Sequence, residues 1–120
     1  MNKHIENIEK IETDRKIKFP PLYKQFLANE IKDSDTYEIN SKDDGTIYLY
    51  SYIDLVERNE TYDIQSVEPF YFLIGQDGDL SYFIYVESGK ESDVIFSVDL
   101  GALGSLEMNE EAKDIYSLSA

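Results

Sequence analysis

Three aromatic segments lie close together in the second half of the chain, and they constrain the fold most. Phe70-Tyr71-Phe72-Leu73-Ile74 is an unbroken apolar run of strand length, as in a strand buried on both faces. Gly75 to Asp79 turns the chain. Leu80, Tyr82, Ile84 and Val86 then line one face of a second strand, with Ser81, Phe83 and Tyr85 on the other. Ser88-Gly89-Lys90 turns it again, and Val94, Phe96 and Val98 alternate with Ile95, Ser97 and Asp99. Three consecutive strands with connections this short make an antiparallel meander. Beyond it, Leu100 to Leu106 and the polar Met108 to Lys113 read as loop, and Ile115, Tyr116 and Leu118 as a final short strand.

The first half reads differently. Ile5, Ile8 and Ile11 recur among charged residues, which predicts a helix with a narrow apolar stripe, broken by the polar Asp14 to Lys18. Phe19-Pro20-Pro21 forces extended backbone and lets Pro21 open a second helix, because the first turn needs no N–H from it. Leu22, Tyr23, Phe26, Leu27 and Ile31 give that helix a broad apolar face and carry it to Ile31. Asp33 to Asp35 is an acidic turn. Tyr37 to Asn40 and Thr46 to Tyr50 predict a hairpin across Lys42-Asp43-Asp44-Gly45, where Asp-Gly is a strong turn signal. Ser51 and Asp54 fit a capping box for a third helix of about three turns bearing Tyr52, Ile53, Leu55, Val56, Asn59 and Tyr62, with Asp54, Glu57, Arg58, Glu60 and Asp63 on its other face.

A chain of 120 residues with 42% apolar and 30% charged residues is one globular domain. It has no cysteine, which excludes a disulfide framework and a thiolate metal site. Met1 leads into Asn2, Lys3 and His4 with no apolar h-region, and no apolar run is long enough for a membrane span. The chain reads as cytoplasmic.

Chemistry-bearing motifs are few. His4 is the only histidine, has no nucleophile that spacing nominates, and reads as a solvated side chain near a frayed terminus. Asp77-Gly78-Asp79 invites a calcium reading, but an EF-hand loop starting there needs Gly where Tyr82 stands and Glu where Ser88 stands. A hairpin turn accounts for it better. No Gly-rich turn leads into a helix with a lysine, so no phosphate loop is present. The residues nominate no catalytic set, no metal and no cofactor. Tyr37, Tyr48, Tyr50, Tyr52, Tyr62 and Tyr85 sit near acids or at strand edges; those not in the core suit a binding face, because tyrosine offers large contact area at low entropic cost.

Charge is distributed unevenly. From Asp33 onward, 20 acidic residues face four cations (Lys42, Arg58, Lys90 and Lys113), a net −16, whereas the first 32 residues carry seven basic and five acidic side chains. A field of this sign repels nucleic acid and anionic membrane and attracts basic proteins. Solubility alone is the plainer account of the same charge.

One order of elements stands out. An Ile-rich helix precedes Phe19-Pro20-Pro21-Leu22-Tyr23-Lys24-Gln25-Phe26-Leu27. A hairpin follows, then a helix containing Val56-Glu57-Arg58-Asn59, then Tyr71-Phe72-Leu73-Ile74-Gly75-Gln76-Asp77-Gly78 before an aromatic strand. This order resembles the SUKH superfamily, which also contains the fungal glucan-synthesis regulators, over about residues 5 to 100. Asp79-Leu80-Ser81-Tyr82 departs from the Gly-Asp-aromatic continuation common in the family. Phe19 stands for the usual Leu, and Asn29-Glu30 for Asn-Gly. The resemblance implies an α+β fold, a mostly antiparallel or mixed sheet flanked by N-terminal helices and one further helix. It implies a single domain over 1–120 without the family's C-terminal helix, since Leu118-Ser119-Ala120 falls about where that helix begins. The matched Pro20, Tyr23, Phe26, Leu27, Ile74, Gly75, Asp77 and Gly78 are framework positions.

Bacterial proteins of this kind act as immunity proteins that bind and block a cognate toxin domain, commonly a nuclease. The resemblance therefore implies a non-catalytic, cofactor-free binder of a basic nuclease domain that itself contacts neither nucleic acid nor membrane. Combined with the charge, it makes Glu57, Glu60, Tyr62, Asp63, Asp77 and Asp79 the candidate partner contacts, on a face beyond the two N-terminal helices. Two alternatives stand beside it: a regulatory scaffold that binds a host protein, and a small-molecule sensor or enzyme using a cleft between sheet and helices.

Overall fold

The computed structural model describes residues 3–42 and 45–119; Asp43 and Asp44 of the expected hairpin turn lie outside the described residues. The fold is α+β. Six strands follow in chain order, β1 (Glu38–Asn40), β2 (Thr46–Leu49), β3 (Tyr71–Asp77), β4 (Leu80–Tyr85), β5 (Ile95–Asp99) and β6 (Asn109–Ala112). Each pairs antiparallel with the next, so sequence neighbours are sheet neighbours throughout. The helices are α1 (Lys3–Arg15), α2 (Pro21–Phe26), α3 (Tyr52–Thr61) and the short α4 (Ile64–Val67). No helix among the described residues is long and apolar enough to cross a membrane.

The expected second helix runs from Pro21 to Ile31, but its last part, Leu27–Ile31, widens into a π-helical turn closed by the Lys32 N–H on the Leu27 carbonyl at 2.7 Å. Ser51 caps α3 through its side chain, which accepts the Ile53 N–H. Two expectations fail at the C-terminal end. Asn109–Ala112 is a strand rather than loop: β5 offers it an open edge, and Ser97 Oγ donates to Glu111 Oε1 at 2.6 Å. Ile115–Ser117 is a 3₁₀ turn rather than a strand, capped by Asp114, and it buries Ile115 and Leu118 against the main core. A third concerns His4, which is half-buried rather than solvated: its Nδ1 lies 2.8 Å from the Tyr52 hydroxyl, joining α1 to α3.

The sheet separates two apolar clusters. On one face α1, α2 and the 3₁₀ turn cover Ile47, Leu49, Phe72, Ile74, Tyr82 and Ile84. On the other, Ile64 of α4 packs on Leu73, Phe83 and Val98, with Leu100 and Leu103 of the following segment. Glu12 is buried where α1 meets α2; it accepts the Phe19 N–H at 2.8 Å and Lys24 Nζ at 2.9 Å, which fixes the bend between the two helices.

Tyr23 is fully buried, and its hydroxyl has no hydrogen-bond partner among the described residues. Burial pushes its phenol far above the ordinary tyrosine value. Unfolded tyrosine loses its proton near pH 10 while the native side chain keeps it. Above pH 10 the native state therefore binds more protons than the unfolded one, and stability falls as pH rises, by about 1.4 kcal/mol per pH unit from this residue. Tyr23→Phe is expected to flatten that alkaline limb and to stabilise the domain by about 1 kcal/mol at pH 7, because a buried hydroxyl without a partner disappears. Urea titrations at both pH values check this; a less stable variant at pH 7 would show that the hydroxyl is satisfied.

Gly75 sits where β2 and β3 cross closest. A Cβ there would lie 2.4 Å from the Tyr48 carbonyl oxygen and 2.9 Å from Leu49 Cδ2. Gly78 takes φ +61 in the two-residue β3–β4 turn, with open space around it. Gly75→Ala is expected to cost about 1–3 kcal/mol through backbone displacement, and Gly78→Ala about 1 kcal/mol through its dihedral alone. Chemical denaturation of both variants ranks them; the reverse order would contradict the close approach of the strands.

Candidate functional site

The pairing of β2 with β3 is short: only Tyr48 with Gln76 and Leu49 with Gly75 are in register. Beyond that, α3 occupies the place where β2 would continue. A buried asparagine makes this possible. Asn59 Oδ1 accepts the Leu73 N–H at 2.8 Å, and its Nδ2 donates to the Leu73 carbonyl at 2.9 Å, so one side-chain amide does for β3 what a strand would have done. Gln65 then donates to Asn59 Oδ1 and to the Tyr71 carbonyl, extending the seam.

Where strand gives way to helix, a groove of about 470 Å³ opens at the sheet face that carries Tyr48 and Gln76, with Tyr37 reaching it from the α2 side, where its ring meets Phe26. Tyr37, Tyr48 and Tyr50 supply its apolar wall, Asp54 and Arg58 stand one turn apart on α3, and Gln76 and Gly78 close it from β3 and its turn. Tyr48 is 49% exposed. The Tyr50 hydroxyl donates to Gln76 Oε1, which fixes the ring across the groove floor. Burial raises the Tyr50 phenol well above its usual range; Tyr62 and Glu57 add to the effect and Arg58 opposes it. Tyr50 is thus a neutral donor at any physiological pH. Arg58 is held charged by Glu57, whose carboxylate it meets at 3.0 Å. Glu57 in turn lies below the ordinary carboxylate range, first through the Thr61 hydroxyl and then through Arg58. A larger and more open depression of about 590 Å³ lies between α1 and Ser88, but charged and polar side chains dominate it and no aromatic ring lines it.

The six candidate contacts separate. Glu57 and Tyr62 are near enough to Tyr50 to act on its phenol, but neither lines the groove. Asp77 and Asp79 flank Gly78, which lines it; Asp77 is half-buried with its carboxylate against Gly45, and Asp79 is exposed at the turn. Glu60 instead points to α1 and pairs with Arg15 at 3.2 Å. Asp63 is exposed in a left-handed conformation between α3 and α4, away from the groove lining. Of the six tyrosines at strand edges or near acids, none is fully buried, and Tyr37, Tyr48 and Tyr50 converge in the groove. The lining comes from residues 35 to 78, on β2, α3, β3 and the segments beside them, and spacing along the chain could not assemble it; the clustering of tyrosines among acids was the signal available.

Three cations of the N-terminal segment stand in ion pairs. Lys10 pairs with Asp14, Lys24 with Glu9 and Glu12, and Arg15 with Glu60. Some carboxylates also do local work: Asp93 accepts the Leu22 N–H, Asp99 the Gly101 N–H and Asp114 the Ser117 N–H. Among the described residues, no group of three or more acids or histidines is placed to hold a metal ion.

No protein-family model matches the chain, and no curated protein matches it.

Proposed function

We propose that this chain is a SUKH-type immunity protein, a non-catalytic cytoplasmic binder that neutralises a cationic toxin domain, in particular a nuclease. The observation that carries the reading is the net −16 on residues 33–120, set beside a first segment of seven basic and five acidic residues in which Lys10, Arg15 and Lys24 stand in ion pairs. A nuclease needs basic surface to grip phosphates, and an acidic, tyrosine-bearing partner competes for that surface. Glu57 and Tyr62, which act on the Tyr50 phenol, and Asp77 and Asp79, which flank Gly78, are the contacts that this reading uses first. It predicts that the toxin domain encoded beside this chain loses activity in proportion to added protein and is fully inhibited at one equivalent. Titrating nuclease activity measures this; undiminished activity at several equivalents would count against it.

A second reading rests on the groove itself. About 470 Å³ lies within the range of small-molecule sites, and Tyr50, Gln76 and Arg58 converge in it. A thermal-shift panel of metabolites separates the two readings, since a ligand that raises the melting temperature supports the second.

A further inference from the structure

The same sheet face carries a second feature, remote in sequence from most of the groove. Tyr71 of β3 is paired in register with Tyr85 of β4, and the rings meet edge to face at 5.3 Å. Tyr71 also meets Phe96 of β5 at 5.3 Å and 89°. Phe70 extends the row, 6.2 Å from Tyr85, and is 47% exposed. The three strands thus present a ladder of rings, half-buried on the protein side and open on the other.

Carboxylates frame this ladder. Glu110 lies in register with Phe96, and Tyr85 donates its hydroxyl to Glu87. Glu68 and Glu110 are near enough to Tyr71 to disfavour its ionisation, after burial itself. The exposed Lys90 reaches Glu87 at 3.7 Å. A guanidinium is planar, stacks on aromatic faces and donates to flanking carboxylates through its fork of N–H groups; an ammonium does only part of this. A second copy of the chain would bring like charge against like, and nucleic acid would be repelled.

We propose that the Phe70–Tyr71–Tyr85–Phe96 ladder, with Glu68, Glu87 and Glu110, is a docking surface for an arginine-bearing segment of a partner protein. This deepens the immunity reading and rests on its claim that the partner is cationic. The arginine side chains lie over the rings and the glutamates close around their edges.

The test uses two synthetic peptides of equal length and charge, one of alternating Arg and Gly and one of alternating Lys and Gly, titrated into the whole chain by NMR. The Arg peptide is expected to shift Tyr71, Tyr85 and Phe96 most and to bind at least about threefold tighter than the Lys peptide. Phe70→Ala, at an exposed position, and the Glu68→Gln/Glu110→Gln pair, which keeps side-chain size, are each expected to weaken it by about tenfold without altering the circular dichroism spectrum. Equal binding of both peptides, with shifts spread over every acidic segment, would overturn the proposal. So would shifts confined to Tyr48 and Tyr50 with Phe70→Ala unchanged. The peptides involve no toxin: mapping to the ladder without toxin inhibition would retain this surface and remove the immunity reading, and the converse would do the reverse.

Discussion

Asn59→Leu is expected to lower the stability of this domain by about 3–4 kcal/mol, more than any other single change considered above. The side-chain amide is the hydrogen-bonding partner of both backbone groups of Leu73, a residue with no exposed surface. Removing it leaves a buried N–H and a buried C=O unpaired, at about 1–3 kcal/mol each. The leucine has the same number and branching of side-chain heavy atoms and leaves no cavity, so the loss comes chiefly from the missing polar partners. Against a total of about 5–15 kcal/mol, this is a large share. For a domain of this size it corresponds to a fall of roughly 15 °C in Tm. Asn59→Asp sharpens the test, because it keeps the acceptor for the Leu73 N–H, removes the donor for its carbonyl and places a charge in the interior. Both variants are read by thermal and urea unfolding. A shift of only a few degrees for Asn59→Leu would mean that α3 is held to β3 by apolar contacts alone. The consequence extends to the groove, because Asp54 and Arg58 ride on the same helix and would lose their fixed distance from Gln76 and Gly78.

Much of the fold could be read along the chain, and the reasons are local. Leu22 to Ile31 shows its helix because each apolar residue faces one core and Pro21 marks the start. The β3–β5 meander shows because its turns are short and its aromatics alternate. β6 carries no such pattern: Asn109, Glu110 and Glu111 are exposed, and the strand exists because β5 has an edge to fill. Ile115 and Leu118 alternate loosely enough to suggest a strand, yet their spacing of three also suits one helical turn, and burial of both on the α2 side decides it. The π-helical widening at Leu27–Ile31 leaves no mark in an apolar pattern that a regular helix shares. Asn59 did leave a mark. It stands in the stripe of Tyr52, Leu55 and Val56, and a polar residue inside an apolar stripe signals a buried partner that only the third dimension can supply. Glu60 shows the opposite limit. It lies one residue along an acidic helix face, and nothing in the chain tells that Arg15, which also lies 6.0 Å from the Phe72 ring centroid, would claim it.

The central claim is that excess negative charge steers a cationic toxin domain onto this protein. It makes the on-rate, more than the off-rate, sensitive to salt. Oppositely charged partners associate at about 10⁸ M⁻¹s⁻¹ or faster when the Debye length is long, against about 10⁵–10⁶ M⁻¹s⁻¹ without steering. Stopped-flow association with a candidate toxin domain taken from a neighbouring gene, from about 20 mM to about 500 mM salt, spans most of that screening range. The account predicts an on-rate that falls by about 10- to 100-fold across the series while the off-rate changes by less than about threefold. An on-rate that stays flat across the series would contradict it, and the acidic surface would then serve solubility alone.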